Sequence, residues 1–175
     1  MKKDFILPIA VLVLICIVTT GLLAATNSVT QPVIAQAERE RADAERTAIL
    51  PEADEFQQID AKLPEGVTEI YAATNGAGYV ITSEASGYGG AGSIRIMVAV
   101  SGDGRIIASR TLANGETKGL GSRVSEPGYE DQFAGMDASL QGYNAVTGAT
   151  ISSNAYKSAI SNALLAFESV TAAAR

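Results

Sequence analysis

Residues 142–153, GYNAVTGATISS, place four hydroxyls (Thr147, Thr150, Ser152 and Ser153) at the entrance to a strongly helical segment. The first turn of a helix leaves backbone N–H groups unpaired and carries partial positive charge. A threonine or serine oxygen there can cap those donors. The same place suits a phosphate group, held non-covalently or as an ester on a hydroxyl. Gly148 and Ala149 clear bulk from beside the Thr150 hydroxyl. On residue types alone capping is the simpler reading, and the phosphate reading stays open beside it.

Two glycine-bearing stretches could take part in such a site. Residues 115–121, GETKGLG, combine glycines that allow close backbone approach with Leu120 as an apolar contact and Glu116 and Thr117 as hydrogen-bonding groups. On residue types alone an ordinary surface loop is the simpler reading of them. Residues 87–92, GYGGAG, match the dinucleotide fingerprint G-x-G-x-x-G by letter. That fingerprint works because a helix follows and points its N-terminus at the pyrophosphate. A strand pattern follows here, so the stretch reads as a flexible turn.

Other chemistries are excluded by composition. The chain has no His, no Trp and a single Cys, Cys16, which lies inside an apolar run. A Ser-His-Asp or Cys-His device, a His-ligated haem, a usual zinc site, an iron–sulfur cluster and an internal disulfide all lack their residues. Redox or group-transfer work would need an organic cofactor. Setting aside Lys2, Lys3 and Asp4, 11 basic residues face 18 acidic ones, a net charge of −7. Such a surface disfavours nucleic acid and anionic lipid headgroups.

The elements that must position these residues follow from periodicity. Residues 67–74 and 78–83 are β-rich, with Asn75-Gly76 as the hairpin turn between them. Residues 93–100, SIRIMVAV, alternate, so that Ile94, Ile96, Val98 and Val100 share a face opposite Arg95. Gly102-Asp-Gly104 turns the chain into an antiparallel partner at residues 105–112, and Pro127 opens a short helix through Phe133. From Ile151 to about Ala173, the residues Tyr156, Ile160, Ala163, Leu164, Phe167 and Val170 make one apolar helical face suited to packing on the sheet.

At the other end, residues 5–37 carry no charge. A helix over residues 5–25 spans roughly 30 Å, the thickness of a bilayer's hydrocarbon core. The run exceeds a signal-peptide core and no small-x-small cleavage site follows, so it reads as an uncleaved anchor. Lys2 and Lys3 place its N-terminus in the cytoplasm and the C-terminal bulk outside the cell. Beyond it, Thr30 as cap and Pro32 in the first turn suggest a second, juxtamembrane helix with charges of both signs, ended by Pro51.

The segment NAVTGATISS resembles the flavinylation motif of the FMN-binding domain family: an acid, two residues, then Ser/Thr-Gly-Ala-Thr. Asn144 stands where the family usually has Asp. GETKGLGSRV resembles the family's E-T-P-G-L-G segment, with Lys118 in place of Pro, and GSIRIMVAVSGDGRIIASRTL resembles the sheet before it. One anchor plus a domain of this length is similar to the G-subunit family of Rnf-type electron-transport complexes. The C subunit of the sodium-pumping NADH:quinone reductase shares the motif but is usually longer.

The resemblance implies an α+β protein: a single N-terminal transmembrane helix, a juxtamembrane helix, and an antiparallel-sheet FMN-binding domain whose C-terminal helix packs on the sheet. The expected divisions are residues 1–28, 29–54 and 55–175. It implies FMN joined by a phosphoester to Thr150, within the motif Thr147, Gly148, Ala149 and Thr150, through an extracytoplasmic flavin transferase that takes FMN from FAD. Glu116, Thr117, Gly119, Leu120 and Gly121 are the expected flavin surroundings; the helix end and backbone N–H groups are expected to neutralise the phosphate, with Lys118 and Lys157 read as solvated side chains that could also help. The implied role is electron carriage, among the other membrane subunits of an ion-translocating ferredoxin:NAD oxidoreductase, at the cell membrane, without turnover alone. The rivals are a stand-alone anchored flavoprotein and a cofactor-free interaction module in which Thr150 only caps.

Overall fold

The computed structural model describes residues 2–173, which fall into two compact units divided between Ala44 and Glu45. Helix α1, Lys2–Ile49, is continuous and contains both Pro8 and Pro32. Its stretch Pro8–Ile34 has a mean hydropathy of 2.6 and is long and apolar enough to cross a membrane. The orientation expectation rests on Lys2 and Lys3, whose side chains lie outside the described ones.

No second helix begins at Thr30. Its Oγ1 donates instead to the Thr26 carbonyl one turn back, at 2.8 Å. Thr19 and Thr26 do the same toward Ile15 and Leu22, at 2.8 and 2.9 Å. In an apolar run a hydroxyl lacks water, so back-bonding within its own helix is its available partner. Pro32 removes one backbone donor without ending the helix.

In the unit from Glu45, five strands form an antiparallel meander in sequence order: β1 Phe56–Gln58, β2 Val67–Ala73, β3 Tyr79–Gly87, β4 Gly90–Val100 and β5 Ile106–Asn114. The Asn75-Gly76 turn joins β2 to β3, with Ala72 opposite Tyr79. Only β1, three residues long, escaped the sequence pattern. A 3-10 turn at Gly121–Ser125, helix α2 at Pro127–Glu130 and a 3-10 turn at Asp131–Phe133 lead to helix α3, Thr150–Ala173.

Helix α3 lies across β3 and β4. Tyr156, Ile160, Ala163, Leu164 and Phe167 are buried in one core with Ile94, Ile96, Val98 and Val100. Each large apolar side chain among them contributes about 1.5–3 kcal/mol by leaving water. Ser83 Oγ donates to the Ala159 carbonyl at 2.7 Å, satisfying a buried hydroxyl at that contact.

The opposite face of the sheet is also covered. Val80, Met97 and Ala99 are buried there with Ile49 and Leu50, from the end of α1 and the turn after it. Beside them Arg46 is buried, with its guanidinium 3.8 Å from the Tyr71 ring centre and 3.7 Å from Glu69. The end of α1 is therefore part of the sheet unit's core.

Candidate functional site

Three segments meet at the start of α3: the β3–β4 hairpin tip, the loop after β5, and the first turn of α3. One carboxylate joins them. Glu116, in the loop, is only 7% exposed. Its Oε1 accepts from Gly89 N–H at 2.9 Å and Ser93 Oγ at 2.7 Å. Its Oε2 accepts from Tyr88 N–H at 3.0 Å and from the Ser152 hydroxyl. Ser93 Oγ in turn accepts from Gly87 N–H at 2.9 Å. Burial by itself pushes the Glu116 carboxyl up, but the bonds from Ser152, Gly89, Ser93 and Tyr88 outweigh it and hold the group below its ordinary value.

Beside this knot opens a cleft of roughly 530 Å³, within the range of small-ligand sites. Seven of the residues singled out from the sequence line it: Glu116, Thr117, Leu120, Gly121, Gly148, Ala149 and Thr150. Thr147 and Gly119 belong to the same two segments but lie outside it. Tyr88, Ile151 and Ser152 complete the lining. Among the described residues no Lys or Arg lines the cleft; Lys118 is exposed on the loop, and Lys157 lies over the Tyr143 ring at 4.6 Å.

The hydroxyls at the helix start divide into two pairs. Ser152 is bound to Glu116, and Ser153 Oγ accepts from Val146 N–H at 2.9 Å. Among the described residues, Thr147 and Thr150 make no side-chain hydrogen bond, and Thr150 is exposed. Thr150 thus presents an unengaged oxygen at the rim of the cleft, at the N-terminus of a 24-residue helix. The capping role that residue types favoured is not what its side chain does.

The FMN-binding domain family matches over residues 87–165, from the hairpin tip to α3. The RnfG N-terminal region matches over residues 10–44. The G subunit of the proton-translocating ferredoxin:NAD(+) oxidoreductase complex of Clostridium ljungdahlii is 30% identical over 166 residues, covering 87% of this chain and 86% of that protein. The G subunit of the Na(+)-translocating ferredoxin:NAD(+) oxidoreductase complex of Acetobacterium woodii is 30% identical over 190 residues, covering 92% and 90%. This chain belongs to the G-subunit family of ion-translocating oxidoreductase complexes. Another member, from Cereibacter sphaeroides, is 35% identical over 130 residues, covering 70% of this chain and 59% of its own.

Within this G-subunit fold, two glycines set the shape of the cleft. Gly121 is buried where a Cβ would stand 2.6 Å from Ser152 Oγ and 2.8 Å from Glu116 Cβ. Gly148 has φ +81°, which an L side chain adopts only with strain, and it directs the chain into α3 just before Thr150.

Fit to an FMN phosphoester can be judged from these groups. The hydroxyl makes no hydrogen bond among the described residues, it stands in the first turn of a helix, where backbone N–H groups lack intrahelical partners, and apolar Leu120 and Ile151 line the same cleft. With no cation in the lining, the helix terminus is the local source of positive potential. The donor set therefore suits a phosphate tethered at Thr150 with an apolar ring beside it. Sequence reasoning missed Tyr88, Ser93 and the bond from Ser152 to Glu116. The glycine-rich hairpin match at residues 87–92 marked the right place, but for an unrelated motif.

Proposed function

We propose that this chain is the electron-carrying G subunit of a membrane-bound, ion-translocating ferredoxin:NAD oxidoreductase complex, with FMN joined through its phosphate to Thr150 Oγ1. The relatives' names supply the complex, and the unengaged Thr150 hydroxyl at the cleft carries the attachment. Transfer breaks the Thr150 O–H bond and the pyrophosphate bond of FAD, forms the oxygen–phosphorus bond at Thr150, and releases AMP and a proton. The bound flavin supplies the electron chemistry. The chain's own residues hold the phosphate at the helix start, hold the ring against Leu120 and Ile151, and keep the domain at the membrane.

In this reading the stretch Pro8–Ile34 spans the bilayer as a single pass. The N-terminus is cytoplasmic and the domain faces outward, where a flavin transferase meets it and where electrons pass to other membrane subunits. A covalent link keeps the flavin from diffusing away in that compartment. The protein does not turn over by itself.

Co-production with a flavin transferase tests this. The intact chain should gain the mass of one FMN less one water, the added mass should map to the peptide holding Thr150, and denatured protein should fluoresce. Thr150→Ala should lose all three signals. An unchanged wild-type mass, or mass on another peptide, overturns the assignment.

A further inference from the structure

Five large apolar side chains are exposed among the described residues of the unit from Glu45: Tyr88, Ile107, Leu120, Ile151 and Leu165. Three of them, Tyr88 at 74% exposure, Ile151 at 58% and Leu120 at 46%, line the cleft that holds Thr150. Scattered exposed apolar residues are ordinary, but convergence on one concave rim marks a surface shaped for an apolar group.

Tyr88 is distinctive among the three. It sits at the tip of a hairpin, where Gly87 faces Gly90 across the turn. A tip of composition GYGGAG would by itself be loose. Its backbone is instead tied on both sides of the ring: Tyr88 N–H and Gly89 N–H both donate to Glu116, and Gly87 N–H to Ser93 Oγ. The ring itself packs on no other ring among the described residues, while Tyr79, Tyr129, Tyr143 and Tyr156 each do. The protein fixes the backbone that carries this aromatic and leaves the ring's surface open.

Resting on the reading of Thr150 as the flavin attachment point, we propose that the Tyr88 ring covers one face of the tethered isoalloxazine, and that Glu116 is the positioning residue that sets the ring there. Offset stacking of a planar heteroaromatic on tyrosine is favourable, and with the backbone already fixed only the two side-chain torsions remain to be ordered. Ile151 and Leu120 then border the flavin's edge. Flavin shielding thus falls to a residue 62 positions upstream of the attachment point, on a different element.

The test uses the full chain, co-produced with a flavin transferase and purified in detergent, with flavin content and attachment site measured by mass. Iodide quenching of the attached flavin's fluorescence, expressed per flavin, reports how open the ring faces are. Tyr88→Ala should raise the quenching constant about twofold, the ratio of two open faces to one. Tyr88→Phe should return it to the wild-type value, because the stacking surface is kept. Glu116→Gln should shift it in the same direction as Tyr88→Ala, because the tip is released. Equal quenching in wild type and Tyr88→Ala overturns the proposal, whether the ring is open in both or covered by another surface in both. A wild-type chain without flavin mass at Thr150 defeats the earlier reading, and mass alone reveals that before any quenching is measured.

Discussion

Glu116 carries more of the site than any other side chain, and its effects are electrostatic. Its carboxylate receives four donors, from Tyr88, Gly89, Ser93 and Ser152. Hydrogen bonds to a charged group contribute about 1.5–3 kcal/mol each when a partner is lost. Glu116→Gln puts an amide donor against existing donors, so the variant should lose about 2–3 kcal/mol at neutral pH, read from denaturant unfolding. The folded carboxyl lies below its ordinary value of 4.5, so the unfolded chain binds its proton first as pH falls. Its contribution is whole above pH 4.5 and vanishes as pH drops through the folded value. The gap between wild type and Glu116→Gln should therefore narrow below that pH. Glu130 works oppositely. Burial pushes its carboxyl above 4.5, although it accepts from Thr111 N–H at 2.6 Å. Its contribution is whole below pH 4.5 and is lost as pH rises through the folded value, so Glu130→Gln should gain on wild type from acid to neutral pH. Thr150 and Leu120 could be picked out as candidates from their motifs. The sharing of Glu116 could not, because its partners are two hairpin-tip amides and two serine hydroxyls with no particular sequence signature.

At the scale of elements, backbone shape decides whether the segments can meet. The approach of the loop to α3 at Gly121 leaves no room for a methyl group, so Gly121→Ala should cost about 1–3 kcal/mol and distort the Ser152–Glu116 contact. Gly148→Ala forces an L residue into φ +81° and should cost about 1–2 kcal/mol. Both are checked by thermal melts alongside flavin loading, and Gly148→Ala should lower loading more because it lies two residues before Thr150. Strands β2 to β5 and helix α3 were legible because alternation and helical periodicity are local properties. β1 was not, since a three-residue edge strand owes its existence to pairing with β2 at Phe56 opposite Ala73. Thr30 misled for a related reason: cap residues also bond back within a helix, and an apolar surround favours that choice.

Over the whole molecule, the division between Ala44 and Glu45 separates a helix apolar enough to enter a bilayer from a unit with its own core. Residues 45–175 alone should leave the membrane fraction and melt as the full chain's domain does. Starting at residue 51 instead removes Ile49 and Leu50, 4% and 1% exposed. Their burial contributes about 1.5–3 kcal/mol each, so that shorter fragment should be less stable by roughly 3–6 kcal/mol in denaturant titration. The apolar run, the strand alternation, the apolar face of α3 and the hydroxyls at its start were determined by sequence alone, because each is written in neighbouring residues. Tertiary structure decided that Thr150 is unengaged, that Ile49 and Leu50 close the second face of the sheet, and that one carboxylate ties groups 23 to 36 residues away. Those facts depend on which distant backbone and side-chain atoms a folded chain brings within bonding distance, and a local pattern of residue types carries no record of that.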